Sequence, residues 1–369
     1  MKFSISREVL LRPLTLIAGV VARKNTLPVL SHIKIDVSAE GVTLTGSDLE
    51  VQLIWRVMHE SLEVPGSITV PAKKLADICK SLKENSVIEF ELDNGRAVVR
   101  SGRSRFILST LPSQDFPAMQ VGEFSQRVSL SQAQLLHLIQ RNEFAMARQD
   151  VRYYLNGMYF ELSSGRLRTV ATDGHRLSLA DINLTPADVD NSSMIVPAKA
   201  VHELAKLLDK VEEPVDIIFG QQHFQVNTGH STFVSKLIEG RYPDYERVIP
   251  PPGDKQVVCD RLALRQMLSR TAILANEKIQ SVRVNLSDHF LSVTANNPDQ
   301  EVAEESMEVD YQGESLEIGF NVVYLIDVMD HIGDAEKVRI SLSGPAASAI
   351  IQAEEENAGA LYVVMPMRL

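Results

Sequence analysis

The stretch Val70-Pro71-Ala72-Lys73-Lys74-Leu75-Ala76-Asp77-Ile78-Cys79-Lys80-Ser81-Leu82 decides the fold, because the chain uses it more than once. Val70-Pro71-Ala72-Lys73 returns as Val196-Pro197-Ala198-Lys199, 126 residues later, and Leu75, Ile78, Cys79 and Leu82 return as Val201, Leu204, Ala205 and Leu208. This i, i+3, i+4, i+7 spacing marks one face of an amphipathic helix, with the proline expected in its first turn, where a missing N–H costs nothing. A third copy without the proline, Leu325, Val328, Met329 and Ile332, follows a further 124 residues on. Three copies at nearly equal spacing exclude chance.

Other landmarks keep the same step. A helix is expected after Ser6 (Leu10, Leu14, Ile17, Ala18, Val21), after the capping-box pattern Ser131-x-x-Gln134 (Leu135, Leu136, Ile139), and after Asp260 (Leu264, Met267, Leu268, Thr271, Ala272). Each is followed by a strand-like alternation: His32 to Val37, Gly157 to Leu162, and Val282 to Leu286. Turn residues recur as Gly46-Ser47-Asp48, Ala171-Thr172-Asp173 and Ala295-Asn296-Asn297, with Asp48, Asp173 and Asn296 in register. A last strand is expected in each copy, at Arg105 to Leu108, Thr232 to Ser235 and Leu361 to Val364. The fold class is α+β: three similar domains, 1–123, 124–253 and 254–369, each with two helices packed on antiparallel sheets. Linkers are expected near residues 118 to 128 and in Pro250-Pro251-Pro252-Gly253. Units of this size can each bury a core.

The 369 residues are 44% hydrophobic, enough for real cores, and no stretch approaches the ~20 apolar residues of a membrane helix. Arg7 and Glu8 interrupt the place where a signal peptide needs its apolar core, so a cytoplasmic location is expected. Cys79 and Cys259 stand apart and outside any CxxC, which disfavours a disulfide framework or a cysteine-rich zinc site. The net charge of −11 opposes the basic footprint usual for nucleic-acid binding, but it is uneven. Residues 1–123 hold 15 basic and 14 acidic residues, 124–253 hold 13 and 15, and 254–369 hold 9 and 19. Lys73, Lys74, Arg96, Arg100, Arg103 and Arg105 cluster in the first third; Asp299, Glu301, Glu304, Glu305 and Glu308 crowd the last. Each set can be a solvated face. A head-to-tail contact between the first domain of one chain and the third of another would use both, with Phe106, Leu108, Ile273 and Leu274 as its apolar centre and the charges as its rim.

No catalytic motif is present: GxSxG, the P-loop, GxGxxG and HExxH are all missing, and no motif calls for a cofactor or a metal. Thr172-Asp173-Gly174-His175-Arg176 could pose as an acid/base pair or a metal site; the plainer reading is a tight turn, since Asp173 aligns with Asp48. Lys73, Lys74, Lys80 and Lys83 decorate the first copy of the repeated helix and Lys199, Lys206 and Lys210 the second. Such lysines usually serve solubility. Together with Arg23, Lys24, Arg148 and Arg152 they could also make a locally positive surface that attracts phosphates without reading bases.

Longer strings carry a family resemblance: SGRSRF at 101–106, QDVRYYLNGM at 149–158, VATDGHRL at 170–177, SKL with GRYPDY at 235–245, AILANEK at 272–278, EIGFN at 317–321 and YVVMPMRL at 362–369. Over its whole length the chain resembles the beta sliding clamps of bacterial DNA polymerase III. The resemblance implies three domains of the DNA-clamp fold, a head-to-tail homodimer forming a six-domain ring around double-stranded DNA without sequence specificity, and no catalytic residues. Twelve helices lining the hole at about 10 Å between neighbouring axes would give a diameter near 40 Å between axes, loose around a duplex. DNA contacts carry over to Lys24, Lys73, Gln149, Tyr153, Tyr154 and Lys199. Lys24 and Lys73 stand where the family often has arginine, keeping the charge but losing the bidentate fork.

The resemblance also implies a cleft for short linear motifs of the replicative polymerase, the clamp loader and repair or translesion factors. Its positions here are Leu155, Thr172, Gly174, His175, Arg176, Leu177, Pro243, Arg247, Val248, Asn321, Tyr324, Ser348, Val363, Met365, Pro366, Met367 and Arg368: apolar walls, adaptable methionines and a few polar groups. The dimer interface implied is Lys74, Arg96, Arg103, Arg105, Phe106 and Leu108 against Ile273, Leu274, Asp299, Glu301, Glu304 and Glu305. Val302 departs from the family pattern where a carboxylate is expected. Two other readings stay open at this point: a monomeric peptide-binding scaffold, and an enzyme centred on Asp173 and His175.

Overall fold

A computed structural model describes residues 1–21, 27–117, 119, 124–184, 190–355 and 359–368. The first third runs β1 (Lys2–Ser6), α1 (Arg7–Val20), β2 (His32–Ser38), β3 (Gly41–Ser47), β4 (Val51–Val57), β5 (Ser61–Val64), β6 (Gly66–Pro71), α2 (Ala72–Ser81), β7 (Val87–Asp93), β8 (Arg96–Ser101) and β9 (Ser104–Ser109). The middle third runs β10 (Phe124–Ser131), α3 (Gln132–Asn142), β11 (Gly157–Ser163), β12 (Arg166–Thr172), β13 (Arg176–Asn183), β14 (Ser192–Pro197), α4 (Ala198–Leu207), β15 (Pro214–Gly220), β16 (His223–Asn227) and β17 (Ser231–Lys236). The last third runs β18 (Lys255–Asp260), α5 (Arg261–Thr271), β19 (Ser281–Ser287), β20 (Phe290–Asn296), β21 (Val302–Glu308), β22 (Leu316–Asn321), α6 (Val322–His331), β23 (Lys337–Leu342), β24 (Ala349–Ala353) and β25 (Ala360–Val364). The order of elements repeats three times, with β5 as the first copy's one addition.

The strands form four antiparallel sheets, ordered β5-β1-β7-β8-β9, β10-β15-β16-β17-β4-β3-β2-β6, β14-β11-β12-β13-β25-β24-β23-β18 and β21-β20-β19-β22. Each eight-stranded sheet joins two thirds of the chain: β17 pairs with β4, setting Phe233 opposite Leu53, and β25 pairs with β13, setting Tyr362 opposite Ser178. Hydrogen bonding across these seams makes two compact units, Met1–Leu135 with Lys199–Leu237 and Leu136–Ala198 with Ile238–Leu369, so the middle repeat is shared between them. The repeat unit read from the sequence and the compact unit of the structure are different objects.

The helix starts follow the local signals. Ser131 and Gln134 form a reciprocal capping box, Gln134 Oε1 accepting from Ser131 N at 2.9 Å and Ser131 Oγ from Gln134 N at 3.2 Å. Asp260 caps α5 by accepting from Ala263 N at 2.7 Å. Ser6 makes no such bond to α1; its hydroxyl goes to Glu8. Pro71 and Pro197 lie one position earlier than the sequence suggests, ending β6 and β14 rather than occupying a first helical turn. Both strands are sheet edges, where a proline breaks no ladder bond. In the third copy Asn321 takes the same place at the end of β22 and caps α6, accepting from Val323 N at 2.9 Å.

Of the expected turn residues, Asp48, Asp173 and Asn297 lie in loops and the others still belong to β3, β12 and β20. Gly46 is not in a turn but inside β3, where a Cβ would stand 2.3 Å from Ile17 Cγ2 of α1; it is the bare patch on which that helix lies. The turn aspartates Asp48 and Asp173 accept from the backbone N–H groups two and three residues on, whereas in the last third that role belongs to Asn297, not Asn296. Asn296 is still in β20. Ser47, Thr172 and Asn296 each end their strand in equivalent pairs, so Asn297, whose Oδ1 accepts from Asp299 N and Glu301 N, is the counterpart of Asp48 and Asp173.

Arginines finish several helices. Arg7 donates to Cys79 O and Lys80 O at the end of α2, Arg12 to Leu207 O at the end of α4, and Arg261 and Arg141 to Met329 O and His331 O at the end of α6. Each guanidinium satisfies carbonyls that have no partner within their helix and sits at the negative end of its dipole. The cores are aliphatic and aromatic, with Leu14, Ile17, Leu75 and Cys79 buried in the first unit and Leu264, Met267, Val328 and Met329 in the second. Cys79 and Cys259 are free and buried, and burial raises their thiols to about 11 and about 12.

Candidate functional site

The second unit builds a polar and aromatic cluster around one arginine. β12 ends at Thr172, and Asp173 folds the chain back by accepting from His175 N at 2.9 Å and Arg176 N at 3.1 Å. Thr172 Oγ1 donates to Arg176 O at 2.6 Å and accepts from Gly174 N at 3.1 Å. Gly174 has φ +88°, a backbone conformation that favours glycine. Every polar atom named in this string serves the turn. Asp173 spends its other oxygen on Arg176 Nε at 3.1 Å, and the His175 ring stacks against Tyr324, centroids 6.3 Å apart, rather than facing a carboxylate. The acid/base reading of this string fails on geometry.

Arg176 opens β13 and is held on all sides. Nη1 donates to Asp327 Oδ2 of α6 at 2.5 Å and Nη2 to Phe144 O at 2.7 Å. The guanidinium carbon lies 4.5 Å from the Tyr324 ring centre and 5.0 Å from that of Phe144. The side chain is 11% exposed. Its role is to tie β13 to α6, and it leaves Tyr324 half-buried with its phenol pushed above the usual range by desolvation.

The chain end is fastened to the same place. Val363 pairs with Leu177 in the β13·β25 ladder, Met365 N donates to His175 O at 2.9 Å, and Met367 N donates to Gly319 O at 2.8 Å. Met365, Pro366 and Met367 are half-buried, and Arg368 is exposed. Leu155, Leu177 and Val363, expected as apolar walls, are buried together with Val170, Ile195, Tyr242 and Tyr245. The other exposed residues of the expected set are His175, Arg247 and Val248; Thr172, Pro243, Asn321 and Ser348 are half-buried. Arg247 is paired with Asp244 at 2.8 Å. Phe144 and Asp327, which hold the arginine, carry no sequence signal for this role: Asp327 lies 151 residues from Arg176.

Beside the cluster, residues 148–156 form a braced loop. Asp150 N donates to Asn156 Oδ1 and Asn156 Nδ2 to Asp150 O, both at 2.9 Å, while the Asp150 carboxylate takes Arg152 through Nε at 3.0 Å and Nη2 at 2.8 Å. Hydrogen bonds from Arg152 lower the Asp150 carboxyl to about 2. The brace turns Arg148, Gln149 (φ +55°), Val151 and Tyr153 to solvent, Val151 being 95% exposed, and leaves Tyr154 half-buried, edge-on to Tyr153 at 5.8 Å. An Asp two residues before an Arg is a local signal that could have disclosed the brace.

In the first unit, Lys73 and Lys74 are exposed on α2. Lys199 is not a free cation: its ammonium is bound to the Asp48 carboxylate and donates to Val20 O at 3.0 Å. Lys24 lies outside the described residues. Lys74 is exposed on α2, and Arg96, Arg103 and Arg105 are exposed on or beside the edge strand β9, where Phe106 is half-buried and Leu108 buried. In the second unit, Asp299, Glu301 and Glu304 are exposed on or beside the edge strand β21, and the turn Ala272–Leu274 packs next to it with Ile273 76% exposed and Leu274 half-buried. Glu305 differs from its acidic neighbours. It faces α5 and is clasped by Arg270, with Nε at 2.6 Å from Oε1, and this hydrogen bonding holds its carboxyl below the usual range. Among the described residues no group of three or more His, Cys, Asp or Glu is placed to hold a metal, and no helix is long and apolar enough to cross a membrane.

Comparison with known proteins gives this geometry a family. Models of the DNA polymerase III beta subunit match in three consecutive pieces, the N-terminal domain at residues 1–120, the central domain at 129–244 and the C-terminal domain at 246–368. Beta sliding clamps of Pseudomonas aeruginosa and Escherichia coli are 52% and 44% identical over 369 residues, covering all of both chains. Among solved structures, the DNA polymerase III beta subunit of Pseudomonas aeruginosa superposes with a TM-score of 0.95 at 51% identity, and a Caulobacter crescentus beta sliding clamp with 0.93 at 35%, each over the whole of this chain. The threefold repeat, the sheet order and these matches together make the chain a member of the DNA polymerase III beta subunit family, the sliding clamps, which serve the polymerase as a non-catalytic subunit.

Proposed function

We propose that two copies of this chain close head to tail into a ring that encircles double-stranded DNA and tethers the replicative polymerase and other proteins bearing short linear motifs. The observation that carries this reading is a pair of strand edges. In repeat terms β17 and β25 are the counterparts of β9, and β13 and β21 are the counterparts of β4. Two of the three possible seams, β17·β4 and β25·β13, are formed within the chain. The third needs β9 and β21, which are both sheet edges, paired on one side only, with β8 and β20, among the described residues. A second copy supplies each edge with its partner, and two such contacts use up all four edges.

The repeats span residues 1–123, 124–253 and 254–369 in this reading, and the ring works in the cytoplasm, at the nucleoid during replication. Lys24, Lys73, Gln149, Tyr153 and Tyr154 touch the duplex backbone, a loose and salt-sensitive attraction. Lys199 contributes less, because Asp48 already answers its charge. Linear motifs dock on the second unit beside His175, Tyr324, Val248 and the 365–368 segment, where accessible apolar and polar groups lie together. One such structure, the Pseudomonas aeruginosa sliding clamp, has been solved bound to griselimycin.

Loading onto nicked circular DNA and then cutting the circle tests the ring directly. The protein is expected to stay on the closed circle and leave the linear form from its ends; equal retention on both would refute encirclement. Sedimentation at micromolar concentration is expected to give twice the 41.0 kDa chain mass, which the monomeric scaffold would not.

A further inference from the structure

Three neighbouring strands of the second unit carry a row of alternating charge on one face. Glu161 of β11 is directly opposite Arg168 of β12, and Arg168 is directly opposite Asp181 of β13. Arg168 donates to Asp181 Oδ2 through Nε at 3.2 Å and Nη2 at 2.9 Å, and Nη1 points elsewhere. It donates to the Tyr245 hydroxyl at 3.1 Å, and that hydroxyl donates to Glu161 Oε2 at 2.5 Å. The phenol of Tyr245 therefore joins the row as acceptor and donor at once. Burial and the bond to Glu161 push the phenol up, so its proton stays in place to donate.

Tyr245 belongs to the segment between β17 and β18. The next row on the same face, Tyr159, Val170 and Leu179, is apolar, and the segment lies against it. Tyr242 stacks on Tyr159 with ring centroids 4.8 Å apart and an interplanar angle of 7°, and the Tyr245 ring is 6.2 Å from Tyr159 and buried with Val170 and Leu179. Among the described residues no backbone hydrogen bond ties residues 240–250 to a strand, so side chains set where the segment sits. The short turn Tyr245–Arg247 leads straight into Val248, whose N–H donates to Tyr245 O at 3.0 Å, and both Arg247 and Val248 are exposed.

We infer that Tyr245 is a positioning residue of the docking site: held between Arg168 and Glu161, its hydroxyl fixes the turn that presents Arg247 and Val248 to a linear motif. Arg168, Glu161 and Asp181 act on the motif only through it. This inference rests on the docking reading above and assigns the groups that hold one wall of that site. Apolar contacts alone would leave the ring free to tilt, because they have no direction, whereas two hydrogen bonds of opposite sense fix the oxygen. A second, weaker hold reaches the same turn, since Arg168 also stands 3.5 Å from Glu246 Oε1, an exposed carboxylate. Binding groups placed on an irregular segment need such support to keep their geometry.

Fluorescence anisotropy with a labelled peptide that carries a Leu-Phe pair and a glutamine reads the effect. Tyr245→Phe keeps the ring and is expected to weaken peptide binding about fivefold, with sedimentation as a dimer unchanged. Glu161→Ala, at a half-buried strand position, is expected to weaken it about threefold, and Glu161→Gln, which keeps an acceptor for the hydroxyl, to stay within about twofold of the parent. A double-mutant cycle separates positioning from a general loosening: added to Val248→Ala, Tyr245→Phe is expected to cause no further loss, because the group that it places is gone. Unchanged affinity in Tyr245→Phe, or the same fivefold loss in the Val248→Ala background, overturns the positioning role and leaves the docking site standing. Failure of the unsubstituted protein to bind the peptide overturns the docking reading itself.

Discussion

Arg176 shows how much one side chain can hold. It joins the turn at Asp173, the carbonyl of Phe144 and Asp327 on α6, between two aromatic rings. Arg176→Ala is expected to destabilise the second unit by about 2 kcal/mol in urea unfolding, because Asp327 and the Phe144 carbonyl lose a charged partner. Arg176→Lys is expected to recover little, since an ammonium cannot fork to these acceptors. Asp150 makes a pH statement. Its folded pKa of about 2 lies below the usual carboxylate value near 4, so its pairing with Arg152 supports the folded loop fully above about pH 4 and is lost as the pH falls through about 2. Carboxyl chemical shifts against pH should place the Asp150 midpoint near 2, with the brace still closed at pH 4. The turn at Asp173 is legible in the sequence because an Asx turn binds its own backbone two and three residues on. The partners of Arg176 are not, because nothing near residue 176 marks Phe144 or Asp327.

Two of the three helix starts marked by a capping side chain followed that signal, and the one at Ser6 did not. The capping box at Ser131 and Gln134 and the Asp260 cap stand as read, and Asn321, expected at the cleft, caps α6 where its repeat counterparts are proline. Asn321→Ala is expected to cost about 1 kcal/mol in the stability of the second unit, measured by denaturant unfolding, with Asn321→Asp close to neutral. The chain end after β25 is an element of another kind, anchored by two backbone hydrogen bonds from Met365 and Met367. Deleting residues 365–369 should leave a folded dimer by circular dichroism and sedimentation while abolishing binding of a fluorescent motif peptide; retained peptide affinity would remove this segment from the site. Leu155, Leu177 and Val363, buried in one cluster, show what hydrophobicity alone leaves open. An apolar residue lining a groove and one buried beneath it have the same sequence signature, and only packing separates them.

For the whole molecule, charge and topology act together. Reversal of Lys24 and Lys73 to glutamate is expected to shorten retention on circular DNA and flatten its salt dependence, without changing sedimentation as a dimer; unchanged retention would remove both from the DNA-facing set. The surplus of acid in the last third suits this function, since a strongly basic molecule would grip the duplex that it must slide along. By itself the sequence determined the threefold repeat, the two helices of each copy, the caps at Ser131 and Asp260, the turns at Asp48 and Asp173, and the family. These are written in periodicities and side chains within a few residues of one another. Only the tertiary structure decided that the middle repeat is divided between two compact units, that Lys199 and Glu305 are already engaged, and that β9 and β21 remain as edges. Strand pairing is made by backbone groups that all residues but proline share, so the identity of a strand's partner leaves no mark in the strand itself.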